Sequence, residues 1–165
     1  MYRRALVALD GSEVAETIMP FILEIAGPLE VTLLRVTVPV RPMIVEGAGQ
    51  PMFEDPESAR IDAEEYLAPL AADLRRRGVR VKTEVRRGEV AEEILKAARE
   101  SKADVIAMTT HGRTGLGRLL FGSVAETVLR ESELPVLLMR WTEADVARLA
   151  TASRPSAAVM QAGQR

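Results

Sequence analysis

The chain has 165 residues, with 47% apolar and 28% charged side chains. That is the composition of one folded domain and lies far from the disordered regime. A formal net charge of −2 gives no pull toward nucleic-acid phosphates or anionic lipid. The lack of cysteine excludes disulfides, thiolate chemistry and cysteine-based metal centres, and a lone histidine argues against a metal cluster. The first residues carry only a short apolar run with no cleavage-site pattern, and no apolar stretch approaches the roughly 20 residues of a membrane span. Nucleic acid and membrane are therefore not expected partners, and the cytoplasm is the expected compartment.

In chain order, Ala5 to Leu9 is apolar without alternation, as for a strand covered on both faces, and stops at Asp10-Gly11-Ser12. From Glu13, Val14, Ile18, Phe21, Ile22 and Ile25 recur at helical spacing until Gly27-Pro28, and Pro20 predicts a kink in that helix. Val31 to Val38 is a second β-branched run. A helix from near Pro56 to Arg77 follows, closed by Gly78 and interrupted by Pro69. Val79 to Val85 alternates and predicts an edge strand. Glu89 to Ser101 predicts a helix with Val90, Ile94, Leu95 and Ala98 on one face. Asp104 to Met108 is then a buried strand, Ser123 to Glu133 a helix, and Pro135 to Met139 a fifth strand whose opening proline suits a strand start.

Strands alternating with helices predict an α/β fold: an open five-stranded parallel sheet with helices on both faces, Rossmann-like, with right-handed crossovers. Ligands of such sheets lie outside the carboxyl ends of the strands where strand order reverses, just after the first and fourth strands here. The folded domain is expected over residues 1–141. Residues 39–57, rich in proline and glycine with Met43, Ile44, Met52 and Phe53, read as a mobile loop, with a lid or partner contact as the alternative. Residues 142–165 read as a C-terminal tail, partly disordered.

The chemistry concentrates after the fourth strand, in Thr109-Thr110-His111-Gly112-Arg113-Thr114-Gly115-Leu116-Gly117-Arg118 and on to Gly122-Ser123-Val124-Ala125-Glu126. Glycines let backbone amides approach a ligand, threonine hydroxyls add donors, and Gly122-Ser123 sets a helix N-terminus beside the loop: the ingredients of an anion cradle. The same residues also make sense as plain turns, with Ser123 and Glu126 as a capping box. Asp10 is a candidate for a ribose hydroxyl or a phosphate-bound Mg2+, or else the N-cap of the first helix with Glu13 three residues on. His111 has no carboxylate or hydroxyl partner near it in sequence to make it a general base, and Arg113 and Arg118 either neutralise phosphate or are solvated. No P-loop motif occurs, and Gly112, Gly115 and Gly117 stand in the wrong order and after the wrong strand for a dinucleotide fingerprint.

Over about residues 2 to 140 the chain resembles the universal stress protein family. The likeness rests on Val7-Ala-Leu-Asp10-Gly-Ser12, His111-Gly112-Arg-Thr-Gly115, Gly122-Ser123-Val-Ala-Glu126 and Pro135-Val-Leu-Leu-Met-Arg140. In the family's ATP-binding branch two glycines separated by two residues are followed, nine residues later, by glycine and serine or threonine. Gly112 and Gly122-Ser123 fit that spacing, while Thr109 stands where the first glycine would. The resemblance implies ATP with Mg2+, Ala8 and Asp10 along the adenosine, and Val36 on the adenine. It also implies phosphates held by Gly112 to Gly115 and by Ser123 with Val124, and a homodimer paired through the last strand, Val136 to Met139. The expected function is a nucleotide-dependent stress or signalling module with slow or no hydrolysis. The alternatives are an adenine-nucleotide hydrolase, against which the bare Asp10-Gly11-Ser12 counts, and a nucleotide-free interaction protein, which Thr109 keeps open.

Overall fold

The computed structural model describes residues 2–25, 30–39, 55–112 and 122–142. Within them the elements run β1 (Arg4–Leu9), α1 (Glu13–Glu16), α2 (Met19–Ile25), β2 (Glu30–Thr37), α3 (Pro56–Arg76), β3 (Arg80–Arg87), α4 (Val90–Glu100), β4 (Val105–Gly112), α5 (Ser123–Glu131) and β5 (Val136–Thr142). The five strands form one parallel sheet in the order β3-β2-β1-β4-β5. The predicted α/β architecture is the observed one, with β3 on an edge.

The apolar runs of β1, β2 and β4 fill the centre of the sheet because helices cover both of its faces. Successive side chains on a strand point to opposite faces, and two cores result. Val7, Leu9, Val31, Leu33, Val105 and Ala107 pack with Ala15, Ile18, Ile22, Leu67, Ala71 and Leu74. The alternate residues Leu6, Leu34, Val36, Ile106 and Met108 pack with Ile94, Leu95, Ala98, Ala125 and Val128 on the other face. Each fully buried leucine or isoleucine contributes about 1.5–3 kcal/mol of transfer free energy.

Register is pinned at the amino edge by Asp104, whose Oδ2 accepts from the amides of Arg3 (2.7 Å) and Arg4 (2.8 Å), while its own amide donates to the Arg4 carbonyl. Those two backbone donors hold the Asp104 carboxyl below its ordinary range.

The prolines behave differently from expectation. The segment after Glu13 is two helices, not one kinked helix: α1 stops at Glu16, the residue whose carbonyl would meet the Pro20 ring, and α2 restarts at Met19. Phe21, expected on the buried face, is 47% exposed. Pro69 does not interrupt α3, which runs unbroken over 21 residues. Pro69 and Glu65, the residue that loses its bond, are both exposed, so water can satisfy the freed carbonyl. The strands at the carboxyl side are longer than predicted: β4 continues through Gly112 and β5 through Thr142, so Thr109 to Gly112 belong to a strand and not to the loop. The segments 40–54 and 143–165, which include most of the expected loop and tail, lie outside the described residues.

Candidate functional site

Because β2 and β4 flank β1 on opposite sides, chain order reverses there, and the carboxyl ends of these strands diverge around a cleft of about 1010 Å³. That is at the upper end of the roughly 300–1,000 Å³ usual for small-molecule sites. Its floor is Ala8 to Gly11 from β1, Leu34 to Val38 from β2 and Met108 to Thr110 from β4. One wall is α3, through Ala59, Asp62, Ala63 and Tyr66; the opposite wall is Val90 and Ile94 of α4 with Gly122 to Ala125 of α5. The lining is largely apolar, with a few polar groups at the rim.

On the β1 side, Asp10 Oδ1 accepts from the Ser12 amide (2.9 Å) and hydroxyl (2.6 Å). Ser12, and not Asp10, is the N-cap of α1: its hydroxyl accepts from the Ala15 amide at 3.1 Å. Asp10 instead closes the turn that presents it to the cleft, and its Oδ2 has no hydrogen bond among the described residues. Gly11 between them has φ +87°, a left-handed conformation for which glycine is the default. The guanidinium of Arg35 lies over Gly11, such that a Cβ there would approach Nη2 to 3.2 Å. Across the cleft the Tyr66 hydroxyl is buried without a partner among the described residues. Burial pushes its pKa up, the nearby Glu16 and Asp10 carboxylates push the same way, and Arg35 opposes them. The phenol therefore remains protonated at neutral pH.

On the β4 side, Thr110 is buried and its Oγ1 accepts from the Gly122 amide at 3.2 Å, joining the strand end to the start of α5. Gly122, not Ser123, is the N-cap of α5, and having no side chain it supplies no cap of its own. The expected capping box of Ser123 and Glu126 is therefore not formed. Ser123 occupies the first helical position, and the amides of Ser123 and Val124 donate to no partner among the described residues. The N-terminus of α5 thus lines the cleft with donors that have no acceptor among the described residues and with its partial positive charge.

The fold brings eight of the candidate binding residues to one cleft: Ala8, Asp10, Val36, Thr109, Thr110, Gly122, Ser123 and Val124. His111 and Gly112 end β4, in register with Trp141 and Thr142 of β5. Arg113, Thr114, Gly115, Gly117 and Arg118 lie outside the described residues. Sequence reasoning missed Arg35, Asp62 and Tyr66. Arg35 had a signal, being the one charge inside the apolar run of β2; nothing marks the two α3 residues as facing a cleft.

A parallel sheet of this strand order with a cleft at its switch point defines the Rossmann-like α/β class. Residues 1–140 match the profile of the universal stress protein family, and the chain belongs to that family. Among its relatives is "Universal stress protein MJ0531" of Methanocaldococcus jannaschii, 31% identical over 144 residues, covering 85% of this chain and 83% of that one. Another is the "Universal stress protein in QAH/OAS sulfhydrylase 3'region" of Thermus aquaticus, 33% identical over 141 residues, covering 85% of this chain and all of that one. The solved structure of protein MJ0577 superposes with a TM-score of 0.67 at 27% identity, covering 86% of this chain and 97% of the other. Proteins of the same fold have been solved with AMP, from Arabidopsis thaliana (TM-score 0.59, 15% identity, 87% of this chain and 94% of the other), and with cAMP (0.56, 19%, 84% and 97%). At those identities the likeness bears on the fold alone.

Proposed function

We propose that this universal stress protein binds ATP with Mg2+ in the cleft at the carboxyl edge of its sheet and acts as a nucleotide-dependent stress-response or signalling module, with slow or no hydrolysis. The observation that carries the reading is the uncapped N-terminus of α5, whose Ser123 and Val124 amides face the same cleft as the Asp10 carboxylate. Free amides and a helix dipole suit phosphate oxygens. The apolar floor of Ala8 and Val36 suits a base, and the Asp10 oxygen left without a hydrogen bond suits a ribose hydroxyl or a phosphate-bound Mg2+.

The residues present fit the nucleotide. Thr109 contributes a side chain at the rim, yet its strand position beside Thr110 leaves the α5 donors facing the cleft. Gly112 to Gly115 would complete the phosphate contacts. When bound, Mg2+ would neutralise phosphate charge. The chain's own part is to orient the nucleoside across β1 and β2, to hold the phosphates at α5, and to transmit occupancy to a partner. A cytoplasmic homodimer, paired through Val136 to Met139, is part of the same reading. The four side chains there are half-buried on an edge strand whose outer backbone can pair with a copy of itself.

Calorimetric titration with ATP and Mg2+, with ADP release followed over hours, tests this. Micromolar binding with little ADP is the expected result. Absence of binding overturns the nucleotide reading, and steady turnover replaces the module with an enzyme.

A further inference from the structure

Arg35 sits at the carboxyl end of β2, in register with Leu9, within a strand whose other central residues are buried. Its side chain is partly buried, lines the cleft, and lies against the bare backbone of Gly11. Among the described residues it makes neither a hydrogen bond nor an ion pair, unlike Arg86, which gathers Glu84, Glu93 and Glu100. A partly buried arginine whose fork of donors has no acceptor among the described residues is suited to take one from a ligand.

Its position and surroundings narrow what those acceptors are. β1 separates β2 from β4, and neighbouring strands are about 4.8 Å apart, so the strand that carries Arg35 runs about 10 Å from β4, the strand end to which the start of α5 is tied. Arg35 thus lines the β2 side of the cleft and the proposed phosphate donors of α5 line the β4 side. Carboxylates share this part of the cleft: Asp10 and Glu16 act, as Arg35 does, on Tyr66, and Asp62 lines the α3 wall. A second anionic group would be repelled there, whereas a neutral group with lone pairs would not.

We propose that Arg35 is a ligand-binding residue that donates to neutral acceptors of the nucleoside half of the ligand, its sugar oxygens or base ring nitrogens. The cleft then reads the nucleoside as well as the phosphates. The inference rests on the nucleotide reading above.

The test is calorimetric titration of wild type and Arg35→Met with ATP and with AMP. Because Arg35 has no partner among the described residues, the variant is expected to unfold at the wild-type temperature when no ligand is present. A charged donor lost to a neutral acceptor predicts roughly tenfold weaker binding, and the same factor for both ligands. A loss much larger for ATP than for AMP means that Arg35 neutralises phosphate and overturns the proposal, as does unchanged affinity for both. Arg35→Gln keeps N–H donors without the charge and is expected to regain affinity over Arg35→Met; no recovery also counts against donation to a neutral atom. If wild type binds neither nucleotide, the failure is that of the nucleotide reading, a result distinct from a binding wild type with an indifferent variant.

Discussion

Gly122 joins a strand end, a helix start and the cleft, so at the scale of single residues it tests the site most directly. Its φ of −66° suits any residue, and among the described residues a Cβ placed on it would meet only Thr110 Oγ1, at an ordinary 3.7 Å. Neither its backbone conformation nor its packing against the described residues demands glycine there, and a close-lying ligand would. Gly122→Val is expected to fold with wild-type circular dichroism and to lose at least about tenfold in ATP affinity, close to 1.4 kcal/mol. Unchanged affinity would remove the phosphate cradle. Much at this scale was legible: Asp10, Gly122 and Ser123 stand out because polar and glycine residues interrupt apolar runs at strand ends. What was not legible were choices between adjacent candidates. Both Asp10 and Ser12 can cap a helix, and the Asx turn at Ser12 decides between them. Gly122 in place of Ser123 as N-cap is a shift of one residue that a capping-box pattern conceals. Arg35 over Gly11 is a contact between β2 and the turn after β1, which the lone charge in the apolar run of β2 hints at but does not locate.

At the scale of elements the two helix-interior prolines diverge. Pro20 ends α1 because the break there lets the chain turn while keeping Val14, Ile18 and Ile22 buried. Pro69 lies on the solvent face of a long helix that is anchored through Ala63, Leu67, Ala71 and Leu74. Packing on both sides of it outweighs one missing hydrogen bond, a balance that a proline in a sequence does not disclose. Pro69→Ala restores the amide opposite the Glu65 carbonyl. Set against the extra freedom of the unfolded chain, the gain is expected to be about 1–2 kcal/mol, read as a higher urea midpoint with an unchanged slope. A lower midpoint would mean that α3 is shaped around the proline. The lengths of β4 and β5 were underestimated because Thr109 to Gly112 are polar or small and Arg140 breaks the apolar run ahead of Trp141 and Thr142. Pairing between the two strands, from Ile106 with Val136 to Gly112 with Thr142, carries them past their apolar runs.

For the whole molecule, the open five-stranded parallel sheet followed from alternating strands and helices, and the place of the cleft from the rule that ligands gather where chain order reverses. The two edges of the sheet were legible by different routes, β3 from its alternation and β5 from the family resemblance. β3 was expected on an edge and is there, with Arg80, Lys82 and Arg87 exposed, Lys82 paired to Glu30 and Arg86 held by three glutamates. β5 is the opposite edge and is apolar from Val136 to Met139. Sedimentation at tens of micromolar protein is expected to give twice the mass of the chain; a monomer throughout would remove the edge-strand dimer.

The contrast between these edges bears on stoichiometry. Arg80, Lys82 and Arg87 stand exposed along β3 and disfavour pairing with a copy of that strand, so in the proposed dimer β5 is the margin that takes a neighbour. Each sheet would then have a valence of one. Two copies joined through β5 would make a continuous ten-stranded sheet that presents a β3 strand at either end, and the assembly would stop there instead of growing into a fibre.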